Sequence, residues 1–279
     1  MLISIITVNY NNVDGLKKTF NNLKNQSYQD FELVVIDGGS NDGSIDLIKT
    51  NDSISYWVSE KDNGVYHAMN KGIKKATGEY VIFMNSGDIF YDDHVMSDFI
   101  ADLNEGHDLV YGNALYYNDT GYLRKEIAPK ILTFAFFRDT GINHQSAFIK
   151  RKLFYDSFFY NEAYKISADW DFFIRNVCLN DISYKHKDRF VCRCDHSGIT
   201  AAPENYQIYI GERQETLKRY FKPFNESFYD KTIQKVSHKR LGQFIFLKNY
   251  KIAWKLVRAL INICLFFIPK KKFHDFMNT

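Results

Sequence analysis

The 279-residue chain is poor in the features that mark disulfide scaffolds, fibres and membrane spans. Its four cysteines are Cys178, Cys192, Cys194 and Cys264, and only Cys192 and Cys194 lie close together. A C-x-C pair without further Cys or His at ligand spacing is a weak zinc signal, so the chain reads as a reduced, intracellular protein. Fifteen glycines and four prolines exclude a collagenous or low-complexity chain. A transmembrane helix needs about 20 largely apolar residues. The candidate segment, Ala259–Ile268, has ten, contains Asn262 and follows Lys255 and Arg258. The N-terminal MLISIITVNYNN has no basic segment and no small-residue cleavage site, against a secretory signal. No G-x-G-x-x-G follows Val8, against a dinucleotide oxidoreductase. No internal repeat is visible.

What is present is an ordinary globular composition, 45% hydrophobic and 25% charged. The length suggests about two domains, or one with an appendage. The net charge of +3 conceals a division: from Lys222 onward, twelve Lys/Arg face three Asp/Glu, which leaves residues 1–221 at −6. A basic tail on an acidic body calls for an anionic partner. Trp254, Leu260 and Phe266–Ile268 make a membrane interface a better match than nucleic acid. The expectation is a basic amphipathic helix in the interface, followed by Pro269-Lys270-Lys271-Lys272. The alternative is a C-terminal helix packed on the body.

Strand and helix patterns alternate over the first ninety residues. Leu2–Val8, Phe31–Ile36, Ile54–Val58 and Tyr80–Met84 read as buried strands. Helical patterns follow at Leu16–Asn25 with Asp14 as N-cap, at Ser44–Lys49 and at Gly64–Ala76. Continuous apolar strands separated by helices imply a mainly parallel α/β sheet covered on both faces. Ligands then bind along the edge of strand C-termini. Thr7, Asn9, Tyr10, Asp37, Glu60, Asp62 and Asn85–Asp88 collect there. Further on, Val95–Leu103 and Ser167–Leu179 read as helices and Leu109–Tyr117 with Tyr122–Ile127 as a hairpin. Two strands are expected near Ile182–Lys185 and Arg189–Cys194, with a boundary near residue 200.

Asn85-Ser86-Gly87-Asp88 delivers one carboxylate from the end of a buried strand. Magnesium or manganese takes oxygen ligands and completes its shell with substrate phosphates, so one carboxylate plus a diphosphate suffices as a start. ISIITVNYNN (Ile3–Asn12), VVIDGGSNDGS (Val34–Ser44) and GEYVIFMNSGD (Gly78–Asp88) occur in this order. Together they resemble the family-2 glycosyltransferases, inverting enzymes of GT-A fold that transfer sugars from nucleotide diphosphates. SEKDNGVYHAMNKGIKKA (Ser59–Ala76) is similar to the donor-binding stretch of bacterial polysaccharide-assembly members. The resemblance covers about residues 1–200.

The resemblance implies a Rossmann-like GT-A domain over 1–200, with a nucleotide-sugar part at 1–90 and an acceptor and catalytic part at 91–200. Residues 201–279 form a basic, amphipathic helical extension. It implies that Thr7, Asn9 and Tyr10 border the nucleobase, that Asp37 accepts from uracil, and that Asp62 lines the donor site. Asp88 is implied to bind a divalent metal, Mn2+ or Mg2+, with His196 as a second ligand. The family often has an acid where this chain has Gly87, so the ribose contacts of that acid fall to Asn85 or are not made. In Ser167–Arg175 (SADWDFFIR), Asp169 matches the catalytic base, and Ala168 replaces the usual Glu. An inverting transfer needs a carboxylate that takes the acceptor's proton as the new bond forms. Asp171 is the reserve candidate, and His144 is a candidate acceptor contact. The implied reaction moves a sugar from UDP to a polyprenyl-diphosphate-linked saccharide at the inner face of a bacterial cytoplasmic membrane. O-antigen, capsule or exopolysaccharide assembly is the implied setting. The rivals are a sugar-nucleotide pyrophosphorylase, whose Gly-rich basic loop Asn9–Asn12 lacks, and a non-catalytic membrane-docking scaffold, which Gly87 and Ala168 keep open.

Overall fold

The computed structural model describes residues 1–118, 121–195, 203–221, 255–257 and 259. His196 and nearly all of the basic tail lie outside the described residues. Parallel β1 (Ile3–Asn9), β2 (Phe31–Asp37), β3 (Tyr56–Ser59) and β4 (Tyr80–Phe83) stand in the order β3-β2-β1-β4. Beyond β4 the sheet continues through β8 (Ala147–Lys150), β6 (Leu109–Asn118), β9 (Tyr184–Asp195) and β5 (Ile89–Phe90). β6 and β9 run with the first four strands, whereas β8 and β5 are antiparallel to their neighbours. β7 (Gly121–Glu126) pairs with β6 as the expected hairpin. The result is the mainly parallel, mixed α/β sheet read from the sequence.

Helices cover both faces, which is why the strands are apolar without alternation. α1 (Val13–Lys24) sends Leu16, Phe20 and Leu23 into one core layer with Ile3, Ile5, Leu33 and Val35. Its N-cap is Asn12, whose Oδ1 accepts from Gly15 N at 3.1 Å. Asp14 instead occupies the first turn, where a negative charge favours the helix dipole. α2 is Ser44–Lys49. On the other face α3 (Val65–Lys75) lies so close to the sheet that a Cβ on Gly72 would stand 2.4 Å from Ile6 Cγ2. α4 is Val95–Leu103, α5 Phe134–Asp139, α6 Arg151–Asp156, α7 Ala168–Cys178 and α8 Tyr206–Tyr220.

The two strands expected between 182 and 194 are one, β9, with register shifts opposite Tyr111–Ala114 that absorb the polar residues Lys187–Arg189. α5 and α6 have six residues each, too short to show helical periodicity in the sequence. Packing divides the chain into Met1–Thr216 and Leu217–Thr279, so most of α8 belongs to the first unit.

Gly72→Ala should force α3 off the sheet and lower stability by about 1–3 kcal/mol, as overpacking does. A denaturant midpoint equal to wild type would show that α3 has room to spare.

Candidate active site

The C-terminal ends of β1, β2 and β3 stand in one row, with Asn9 opposite Asp37 and Asp37 opposite Ser59. Asp37 is fully buried and receives five donors. Asn9 Nδ2 (2.7 Å) and Ser40 Oγ (2.6 Å) reach Oδ1, while Gly39 N, Ser40 N and Ser59 Oγ reach Oδ2. Burial pushes its pKa up, but the serine hydroxyls, the Ser40 amide and Asn9 outweigh this and hold it below the usual carboxylate range. A carboxylate has about four lone-pair sites. Asp37 is thereby tied to Asn9, Ser59 and the 38–40 turn, at the strand end where the resemblance implies a contact with the nucleobase. Tyr10, 67% exposed, lays its ring beside Gly38.

Asp62 follows β3, and Lys71 and His67, one turn apart on α3, both meet its Oδ1 at 2.6 Å and 2.9 Å. The i, i+4 spacing of His67 and Lys71 was a legible signal that both share one helix face. Glu60 also binds Lys71. Among the described residues, Thr7 Oγ1, Asn9 Oδ1, Asp62 Oδ2 and Asn85 Oδ1 are buried without a hydrogen-bond partner. Each such atom costs about 1–3 kcal/mol. Their clustering at this edge marks the place where a polar ligand would recover that cost.

β4 leads into the turn Asn85–Asp88. Thr19 Oγ1, from α1, accepts from Gly87 N at 3.0 Å and donates to Asp88 O at 2.8 Å. Tyr117 OH donates to Gly87 O at 2.7 Å. Gly87 has φ +103°, a conformation that L side chains rarely adopt, and this is why no acid precedes Asp88. Asp88 is 4% exposed and accepts Gln145 Nε2 at 2.9 Å. The donor set fits a hard divalent cation: a carboxylate, with the unpartnered amide oxygen of Asn85 on the same turn. No group of three or more His, Cys, Asp or Glu able to hold a metal occurs among the described residues. Most of an ion's shell would have to come from substrate phosphate and water.

Asp169 sits in the first turn of α7, its side chain 18% exposed. His144 Nδ1 lies 2.8 Å from its Oδ2, and Tyr66 OH, which shares its one hydrogen with Ile166 O at 2.6 Å, lies 2.9 Å from its Oδ1. Asn85 Nδ2 is 3.4 Å from His144 Nε2. Burial pushes the Asp169 pKa up, yet the hydrogen bond and charge of His144, then the Tyr66 and Trp170 hydrogen bonds, bring it below the ordinary value. Burial, then the Asp169 charge, raise the Tyr66 phenol well above its own, so it stays a neutral donor. The start of α7 has no side-chain cap of its own. Glu212 of α8 instead holds the loop before it, accepting from Lys165 N, Ile166 N and Ser167 N at 2.6–3.1 Å. Asp171 is not brought into this cluster: at 2% exposure it accepts from Arg175 (3.1 Å) and Thr216 (2.8 Å). Ala168, where the family usually has Glu, is fully buried. Gln145 and Glu212 escaped the sequence reading, because nothing in spacing ties them to partners 57 and about 46 residues away.

Residues 4–169 match the family model Glycosyl transferase family 2. The chain belongs to this family. It is an α/β enzyme of the glycosyltransferase class, which removes the pyrophosphorylase and scaffold readings. It is 33% identical over 183 residues to the PGL/p-HBAD biosynthesis glycosyltransferase of Mycobacterium bovis, covering 62% of this chain and 69% of that protein. The GalNAc(5)-diNAcBac-PP-undecaprenol beta-1,3-glucosyltransferase of Campylobacter jejuni is 25% identical over 293 residues, 94% of this chain and 88% of its own. Among solved structures, S. aureus TarS 1–349 with UDP-GlcNAc superposes with a TM-score of 0.61 at 20% identity, covering 75% of this chain. The mannosyltransferase PcManGT of Pyrobaculum calidifontis, in complex with GDP-Man and Mn2+, gives 0.54 at 17% identity over 81% of this chain. This chain spans 64% of each of those two, and the likeness to both establishes the GT-A fold.

Gly87→Asp, which restores the acid common in the family, places an L residue at positive φ. It should cost about 1–2 kcal/mol of stability and lower the melting temperature, whereas an unchanged melting temperature would show that the turn accepts a side chain.

Proposed function

We propose that this glycosyltransferase moves a sugar from a UDP-sugar to a saccharide hydroxyl carried on a polyprenyl diphosphate, inverting the anomeric centre. One observation carries the reading. Two adjacent residues join the two edge carboxylates, Gln145 holding Asp88 and His144 holding Asp169. The acid suited to a leaving diphosphate and the acid suited to an incoming hydroxyl are thus fixed on either side of one turn. The partly exposed Asp169 takes the proton of the acceptor hydroxyl as its oxygen bonds to the anomeric carbon. The bond from that carbon to the donor phosphate breaks on the opposite face, and its electron pair leaves with UDP. Asp88, with Asn85 beside it, would hold Mg2+ or Mn2+, which when bound neutralises charge on the departing diphosphate. Thr7, Asn9 and Tyr10 border the nucleoside, and Asp62 Oδ2 awaits a donor from the sugar nucleotide.

The complexes of TarS with UDP-GlcNAc and of PcManGT with Mn2+ support the donor class and the ion. The undecaprenol-linked substrate in the name of the Campylobacter relative, which matches 94% of this chain, supports the carrier. No described helix is long and apolar enough to cross a membrane. Twelve basic residues against three acidic ones from Lys222 onward support peripheral binding to the anionic inner face of a bacterial cytoplasmic membrane. A place in polysaccharide assembly follows from that carrier.

Chelation and Asp88→Asn should each abolish transfer without unfolding the protein, and full activity in excess chelator would remove the metal from the proposal. Asp169→Asn should lower turnover by about 10² or more at nearly unchanged donor affinity. A product of retained anomeric configuration, read by NMR, would overturn the mechanism. For the tail, neutralising Lys270, Lys271 and Lys272 to Gln should weaken sedimentation with anionic vesicles by about 1 kcal/mol per charge; unchanged sedimentation would sink the membrane reading.

A further inference from the structure

Asp169 is not oriented by its own helix alone. Tyr66 of α3 engages one of its oxygens, His144 engages the other, and His144 is in turn fixed from both sides. An ionised carboxylate only accepts, so the 2.8 Å contact puts a ring proton on Nδ1, toward Asp169, while Asn85 Nδ2 stands 3.4 Å from Nε2. The edge of the Phe83–His144 ring pair, with centroids 5.8 Å apart and planes at 87°, fixes the tilt of the imidazole. The His144 side chain is 13% exposed, so its ring is held largely by these contacts.

We infer that His144 is a positioning residue for Asp169: its Nδ1–H donates to Oδ2 and fixes the carboxylate in the plane from which it receives the acceptor's proton. The inference rests on the proposed role of Asp169 as base and adds to it the group that sets that base. It also replaces the acceptor contact expected of His144. The two readings of the ring differ in chemistry. A proton carrier needs the imidazole itself, whereas a positioning donor needs only an N–H at the place of Nδ1. An asparagine at 144 carries an amide N–H close to that place and cannot carry a proton.

The charged and titratable groups facing Asp169 are few. They are Tyr66 from α3, His144 from the turn before β8, Tyr160 before α7, and Arg213 from α8. Arg213 is engaged with the carbonyls of Phe137 and Thr140 and stacks on Trp170. Tyr66 and Tyr160 are raised well above the phenol range, first by burial and then by the Asp169 charge, and so stay neutral. His144 is thus the partner whose removal changes the protonation of Asp169 most. Burial alone pushes that carboxyl up, and the His144 contact opposes it. Without the contact, Asp169 should protonate at higher pH, and the acid limb of kcat should move upward.

The test compares His144→Ala, His144→Asn and Asp169→Asn in the full-length enzyme, with kcat, donor and acceptor KM and the pH profile measured for each. His144→Ala should lower kcat about tenfold to a hundredfold, as loss of an orienting partner does, with donor KM near wild type and the acid limb shifted up. His144→Asn should recover most of kcat and return the acid limb. Equal loss in both His144 variants would mean that the ring itself is required, and the inference would fall. It would also fall if His144→Ala left the acid limb in place or acted mainly on acceptor KM. Asp169→Asn separates the two levels: near-wild-type kcat there would remove the base and the inference together, whereas an inactive Asp169→Asn beside an unaffected His144→Ala would remove the inference alone. Should the Ala variant fail to fold, the Asn variant carries the comparison, and 15N shifts of His144 in the wild-type protein report directly whether Nδ1 is the protonated nitrogen.

Discussion

The geometry of the site hangs on one short turn, His144–Ser146, between the end of one strand layer and the start of another. Asn143 closes it from within, accepting from Gln145 N at 2.8 Å, while its Nδ2 donates to Tyr116 OH at 2.7 Å. Ser146 Oγ returns to Asn143 O at 2.9 Å. Immediately after it, β8 enters the sheet antiparallel to both β4 and β6. A turn fixed at one end by two strand pairings and at the other by β6 has little freedom left. His144 and Gln145 project from it to carboxylates that come from different parts of the fold. Asp88 is delivered by β4 and Asp169 by α7, and the turn sets their relation. A loop could carry the same residues, but it would not hold two acids to the tolerance that proton and charge chemistry requires.

Much of the sheet was legible because β1, β2 and β4 are short, continuous apolar runs buried on both faces, and such runs have few other places to go. Asp88 was legible for the same reason, as the first acid after a buried strand. The cross-links were not. His144 and Asp169 are 25 positions apart and Asn85 and His144 are 59 apart, and no periodicity connects them. Asp37 shows a subtler limit. Its place at the end of β2 was readable, but the number of donors around it was not. Asn12 capped α1 in place of Asp14 because both types cap well and only the backbone chooses between them. Glu212 was hidden in a segment that composition marks as an extension, since a carboxylate holding a distant loop leaves no local pattern.

The two departures from the family pattern have local causes. At Gly87 the backbone is left-handed, and both its peptide groups are taken, N–H by Thr19 and C=O by Tyr117. At residue 168 the side chain is fully buried at the helix start, where an unpaired carboxylate would cost several kcal/mol. Neither change is a sign of decay in the site. Each replaces a side-chain carboxylate by a structural solution that keeps the neighbouring functional acid in place.

The three edge acids show how the same side chain is given different work. Asp37 is buried and enclosed by five donors. Asp169 is held on both oxygens, by His144 and Tyr66, while a fifth of its side chain stays open. Arg213 is engaged at carbonyls and an indole face. Glu212 completes this arrangement from the far side. By accepting the three N–H groups at 165–167, it leaves the Trp170 amide to Asp169 and anchors the loop before α7. The setting of this carboxylate is therefore a property of four elements, not of the aspartate alone.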